Sequence, residues 1–175
     1  YSYDSECFSP VLEQSGRKLS LKERFTGNRC SGNSTWTVTV PGNTRVSFSS
    51  ASGDLDLSGL KGDVSASNAS GDFTISDCTG ELKLSTGSGD IQLEKTSGKL
   101  KVNTASGKIK AQQLDGEIRL NAASGDIDIK NAKGEFKVNV ASGEINASGI
   151  EITDDSSFNT ASGDVDVALA KSATY

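Results

Sequence analysis

Ala51-Ser52-Gly53-Asp54-Leu55-Asp56-Leu57-Ser58-Gly59-Leu60-Lys61-Gly62-Asp63-Val64-Ser65-Ala66-Ser67-Asn68-Ala69-Ser70-Gly71-Asp72 holds two nine-residue units and the start of a third. The glycines at 53, 62 and 71 open a series that continues at 80, 89, 98, 107, 116, 125, 134 and 143, eleven glycines at a constant spacing of nine. The units alternate in kind. Ala-Ser-Gly-Asp stands at 51–54, 69–72 and 123–126, with the looser Leu60-Lys61-Gly62-Asp63 and Leu114-Asp115-Gly116-Glu117 between, so the full period is 18. A further Ala-Ser-Gly-Asp at 161–164 arrives two residues late. Such a repeat governs the fold, because a single unit cannot bury its apolar face and only stacking closes a core.

Side chains fall into columns when placed relative to each glycine. The residue two after it is large and apolar, as in Leu55, Val64, Phe73, Leu82, Ile91 and Leu100. The residue four after it is apolar too, as in Leu57, Ala66, Ile75, Leu84, Leu93 and Val102, while the residues between are polar. This period of two is that of a strand with one buried face. The residue two before the glycine is small or apolar (Ala51, Leu60, Ala69, Cys78, Ala105, Leu114, Ala123, Ala132, Ala141) and reads as inward. Cys78 is thereby expected as a buried thiol between Leu60 and Thr96. Nine is odd, so each unit carries one extra outward residue. The expectation places it five and six after the glycine, at turn-forming pairs such as Ser58-Gly59, Ser67-Asn68, Ser76-Asp77, Asn103-Thr104, Gln112-Gln113 and Lys130-Asn131. The chain from 45 to 175 therefore reads as an all-β, right-handed β-solenoid of about seven coils, each coil two short strands and 18 residues, stacked at ~4.8 Å.

Residues 1–44 lie outside the repeat and read as an N-terminal β cap, with a strand over 35–40 (Thr35-Trp36-Thr37-Val38-Thr39-Val40) and a turn at Pro41-Gly42-Asn43-Thr44. Open solenoid ends expose strand edges and need such covers. Cys7 and Cys30 fall in this segment, and a disulfide between them would staple it in an oxidising compartment. At the other end residues 150–175 close the coil, with a loop at Asp154-Asp155-Ser156-Ser157.

Composition narrows the function. Only 34% of residues are hydrophobic and 6% aromatic, which suits a thin core of small aliphatic side chains. Net charge is −5, against a nucleic-acid partner. No apolar run reaches the length of a membrane-spanning helix. The chain starts at Tyr1 and has no Met, which suggests a processed, exported product. His is absent, removing the commonest acid–base catalyst and metal ligand. Calcium β-rolls repeat every nine residues but need six-residue metal-holding turns that are missing here. Acyltransferase helices need an aliphatic residue every six, and position 63 is Asp. Asp54/Asp56, Asp126/Asp128 and Asp164/Asp166 have the spacing of glycosidase carboxylates, yet they recur with the repeat and read as a solvated face. Ser97/Lys99 and Ser106/Lys108 fail as nucleophile pairs for the same reason. No catalytic residue, cofactor or metal ligand is expected.

One outward feature points to binding. Lys83, Lys101, Arg119 and Lys137 recur every 18 residues and should stack as a basic ladder. Two residues earlier run Asp63, Glu81, Lys99, Glu117 and Glu135, an acidic column interrupted by Lys99. Mutual neutralisation would leave little. The alternative is an anion-binding strip centred on Lys99 and Lys101.

Tandem Ser-Gly-Asp-apolar-x-apolar units following Thr37–Gly42 resemble the bacterial adhesin family with tandem SGD repeats, called toast-rack domains, over about residues 35–168. The resemblance implies an all-β solenoid on exported or membrane-anchored envelope proteins and implies no catalytic residue. The expected function is a non-catalytic surface module presenting its ladder to an acidic glycan or a surface protein. The alternatives are a spacer that assembles end to end and, remotely, a polysaccharide-acting enzyme.

Overall fold

The computed structural model describes residues 2–3, 8–15, 18–25 and 33–170. The chain divides into two units, Tyr1–Val40 and Pro41–Tyr175. In the first unit β1 (Ser2–Tyr3) pairs antiparallel with β4 (Ser34–Thr35), and β2 (Phe8–Ser15) forms an antiparallel hairpin with β3 (Lys18–Phe25). The strand expected over 35–40 is a correction: ladder pairing ends at Thr35, and Trp36–Val40 runs on without it. Among the described residues no strand pairs with Thr37–Val40, and alternation and β-propensity make a strand only where its backbone groups are bonded. Trp36 Nε1 instead donates to Glu23 at 2.9 Å. Cys7 and Cys30 lie outside the described residues.

The second unit starts with the expected turn, Thr44 N donating to Pro41 O at 3.0 Å. Twelve strands follow: β5 (Val46–Ser52), β6 (Leu55–Ser58), β7 (Val64–Ser70), β8 (Phe73–Ser76), β9 (Thr79–Ser88), β10 (Ile91–Ser106), β11 (Ile109–Ser124), β12 (Ile127–Lys130), β13 (Lys133–Ser142), β14 (Ile145–Ile152), β15 (Ser157–Ser162) and β16 (Val165–Leu169). Pairing is parallel throughout this unit, and from β5 to β14 the register is 18 residues, Ile91 with Ile109 and Leu100 with Ile118. After Ile152 the loop at Thr153–Ser156 inserts two residues, so Val138 pairs with Phe158 and Ile145 with Val165. The result is the expected β-solenoid of about seven coils. The described residues contain no helix.

The two halves of a coil differ in length. The short half holds Phe73–Ser76 and its equivalents; the long half holds Val64–Ser70 and, further along, Ser97–Ser106 and Asp115–Ser124. Inward columns close the core from both halves: Leu82, Leu100, Ile118 and Phe136 face Ile91, Ile109, Ile127 and Ile145, all fully buried. Each such side chain contributes about 1.5–3 kcal/mol on burial. Leu60, Cys78, Thr96, Leu114, Ala132 and Ile150 form a further buried column.

The corners depart from expectation in one half of each coil. Turns do fall at Ser58-Gly59, Ser76-Asp77, Gln112-Gln113 and Lys130-Asn131. Asp77, Lys95, Gln113 and Asn131 there take left-handed φ values of 48–54°, a conformation open to isolated residues at some cost. Ser67-Asn68 and Asn103-Thr104 are not turns. They lie inside β7 and β10, and Asn68 and Thr104 are buried. Alternation runs on through them, and the chain bends later at Ala-Ser-Gly. Ala51, Ala69, Ala105, Ala123 and Ala141 are therefore exposed rather than inward.

Glycine is required at the bend. Gly107 has φ +143°, and a Cβ there would overlap the carbonyl oxygen of Gly89 one coil away. Gly107→Ala should lower stability by about 3 kcal/mol or more, from conformation and overlap together; urea unfolding measures it. Cys78 donates its Sγ–H to Ser76 O at 3.2 Å, and burial pushes its thiol pKa up. A bulky thiol reagent should label Cys78 in the native protein orders of magnitude more slowly than in urea, as mass spectrometry of the Cys78 peptide would show.

Candidate functional site

The long halves of the coils build a face of straight columns. Outward positions on one strand are two residues apart, and the parallel 18-residue register sets each above its equivalent. Lys101 stands between Lys83 and Arg119, and Arg119 next to Lys137, as the repeat predicted. Lys99 stands between Glu81 and Glu117.

Ion pairing is mainly along the strand. Lys83 meets Glu81 at 2.8 Å, Arg119 meets Glu117 at 2.6 Å, and Lys137 meets Glu135 at 2.5 Å. Lys99 reaches across one coil to Glu117 at 2.9 Å. Glu117 thus serves two cations. Its carboxyl is held below the usual range, first by the hydrogen bond from Lys99, with the Lys99 and Arg119 charges adding to it. Lys101 has Lys99 where its neighbours have Glu, and among the described residues it makes no ion pair. Over the coils from Glu81 to Lys137, Lys83, Lys99, Lys101, Arg119 and Lys137 thus stand against Glu81, Glu117 and Glu135, five cations to three anions in these two columns, in a chain whose net charge is −5. Such exposed pairs add little stability each, so their interest is the field they leave.

Beside the cations runs a column of hydrogen-bonded amides. Asn121 Nδ2 donates to Asn103 Oδ1 at 3.0 Å, Asn139 to Asn121 at 3.0 Å, and Asn159 to Asn139 at 3.1 Å. Ser49, Ser67 and Ser85 occupy the same column earlier. Next come the exposed alanines at the bend. A shallow groove parallel to the coil axis is lined by Asn103, Asn121, Asn139 and Asn159 on one side and Ala123, Ala141 and Ala161 on the other. The 18-residue spacing of these asparagines was a visible signal, obscured by reading Asn103-Thr104 as a turn.

The short halves do different work. Asp54 accepts the backbone N–H of Asp72 at 2.9 Å, Asp72 that of Asp90 at 2.7 Å, Asp90 that of Lys108 at 2.8 Å, and Asp126 that of Glu144 at 3.1 Å. Asp54, Asp72, Asp90 and Asp126, each directly after a corner glycine, are thus coil-to-coil clamps. Lys108 interrupts this column and pairs with Asp128 at 2.8 Å, which raises its pKa. Lys110, beside it on the short half, lies between Gln92 and Asp128 in register. Among the described residues no group of three or more metal-ligating side chains converges, and no helix is long and apolar enough to cross a membrane.

The stacked parallel coils define a β-solenoid repeat protein. The family model described as Toastrack DUF4097 matches residues 5–175, and the chain belongs to that family. No curated protein and no solved structure matches it.

The Glu117 bridge has a measurable consequence. Because its folded pKa is depressed, its pairing stabilises the fold above the unfolded carboxyl pKa and is lost as pH falls through the folded value. Glu117 should titrate below an ordinary glutamate in a carboxyl-detected NMR series, and Lys99→Ala should move it back up.

Proposed function

We propose that this domain is a non-catalytic module of the bacterial cell envelope or surface, of adhesin type, which holds an anionic partner on its long-strand face. The observation that carries this reading is Lys101, without an ion pair among the described residues, in a column with Lys83, Arg119 and Lys137 and next to Lys99. A line of cations with one uncompensated member at its centre attracts a polyanion and leaves the fold's own pairs intact. Two features support a binding role over chemistry. The recurring Asp side chains are used as backbone clamps, and the coils carry no long inserted loops that would wall a cleft. Export, and the oxidising compartment that a Cys7–Cys30 bond would need, belong to this proposal.

The partner classes are an acidic glycan and an acidic surface protein. A spacer that associates end to end is the alternative role. Immobilised anionic polymers separate these. Wild-type protein should bind, and binding should weaken as salt rises, because exposed charges are screened beyond about 8 Å at physiological ionic strength. Lys99→Glu with Lys101→Glu should cut binding by at least about tenfold without unfolding the domain, since both side chains point outward. Unchanged binding by the folded double variant would remove this face from consideration. Absent binding together with concentration-dependent oligomers on a sizing column would favour the spacer.

A further inference from the structure

We infer that the groove beside the cation column seats a linear acidic polysaccharide running parallel to the solenoid axis, an inference that rests on the anion-binding reading above. Three columns on the same strands argue for it. The first is the cation column, Lys101, Arg119 and Lys137. The second is the amide column two residues further along, Asn103, Asn121 and Asn139. The third is the exposed alanine column at the bend, Ala123 and Ala141.

Their chemistry is complementary to a sugar chain. An asparagine amide has two N–H donors and an oxygen with two lone pairs. Within the ladder each inner Asn spends one donor and one lone pair on its neighbours. One donor and one lone pair remain per coil, the pairing a hydroxyl satisfies in both directions. The alanines leave room for a flat ring to approach the backbone, and the adjacent Lys and Arg supply charge for carboxylates along one edge of the chain.

Spacing selects the class of polymer. The columns repeat every coil, ~4.8 Å. An extended acidic peptide laid along the axis would place same-side carboxylates every two residues, roughly 6.8 Å apart, and would drift out of step with the cations. A linked pyranose ring advances by close to one coil rise, so the acid groups that face the same side, on every second or third ring, fall two or three coils apart and stay in register with the cations. Hydroxyl-poor polyanions would use the cations and leave the amides unanswered.

The test compares polygalacturonate with polyglutamate at matched charge on three proteins. Wild type should prefer polygalacturonate by about tenfold, equivalent to one or two net hydrogen bonds. Ala123→Tyr with Ala141→Tyr fills the groove and keeps every cation. This variant should lose that preference while holding polyglutamate within about twofold of wild type, because charge attraction remains. If the tyrosine pair does not fold, Ala141→Gln places a smaller obstruction in the groove and reads the same loss. Polygalacturonate binding unaltered in a folded groove variant would overturn the groove while leaving the cation reading standing. Wild type binding the two polymers equally would overturn it as well. Unaltered binding of both polymers by Lys99→Glu with Lys101→Glu would overturn the cation reading itself, and binding of neither polymer by wild type would overturn both.

Discussion

Where corner glycines stack, the carbonyl of one occupies the place where the glycine of the next coil would carry a side chain. At Gly107 over Gly89, and at Gly116 over Gly98, a Cβ would overlap that oxygen. Backbone thus rests on backbone at the corners. This close approach lets coil follow coil in an 18-residue register, and the register turns a repeated sequence into columns. The inward columns become a core in which residues such as Leu100, Ile109, Ile118 and Ile127 are fully buried although aromatic content is low. The outward columns become a surface whose chemistry varies across the strand and stays constant along the axis. At the bend the clamp from Asp72 to Asp90 N and its equivalents bonds an amide next to the glycine, so the same corner that forbids a side chain on Gly gives a following Asp a backbone amide to hold.

Much of this was legible in the sequence, for reasons that differ by residue. The period, the inward pairs such as Leu82/Leu84, the buried Cys78 and the Lys83–Lys137 column all follow from strand alternation plus a fixed repeat. The location of the second corner did not. Asn103-Thr104 and Ala105-Ser106 are both small and polar enough to turn, and an odd repeat tells only that one extra outward residue exists. Burial of Thr104 and Asn68, with the bend deferred to Ala-Ser-Gly, depends on how wide the core is across the coil, a tertiary quantity. The asparagine ladder was lost with that corner. The strand expected over 35–40 failed in another way: its pattern is a strand's, but among the described residues no strand pairs with Thr37–Val40.

Stacking like charges is unfavourable where they face each other directly, so a cation column needs local compensation. Three of its members have a glutamate two residues back on their own strand, which keeps each pair within one coil. Lys99 breaks that arrangement for Lys101 and draws on Glu117 one coil further on, which then holds both Lys99 and Arg119. The hydrogen bond and charge of Lys99, with Arg119 beside it, depress the pKa of Glu117, and among the described residues Lys101 is left without an ion pair. A single substitution in the acidic column is therefore enough to turn a balanced surface into one with a local positive excess.

Two interruptions of the repeat by lysine fall together. Lys99 replaces a carboxylate in the acidic column of the long half, and Lys108, nine residues later, replaces the clamping Asp of the short half. A lysine side chain has three donors and no acceptor, so it cannot bond the backbone N–H of Asp126 as Asp90 bonds that of Lys108. It reaches Asp128 instead. The coil centred on these residues gives up a clamp on one half and an acid on the other, and carboxylates of the following coil, Glu117 and Asp128, absorb both charges. Lys101 and Lys110, two residues after each substitution, are the cations left over. On a repeating scaffold, two lysines placed where the equivalent positions of the coils on either side hold carboxylates mark where the surface has acquired a property that stacking alone does not need.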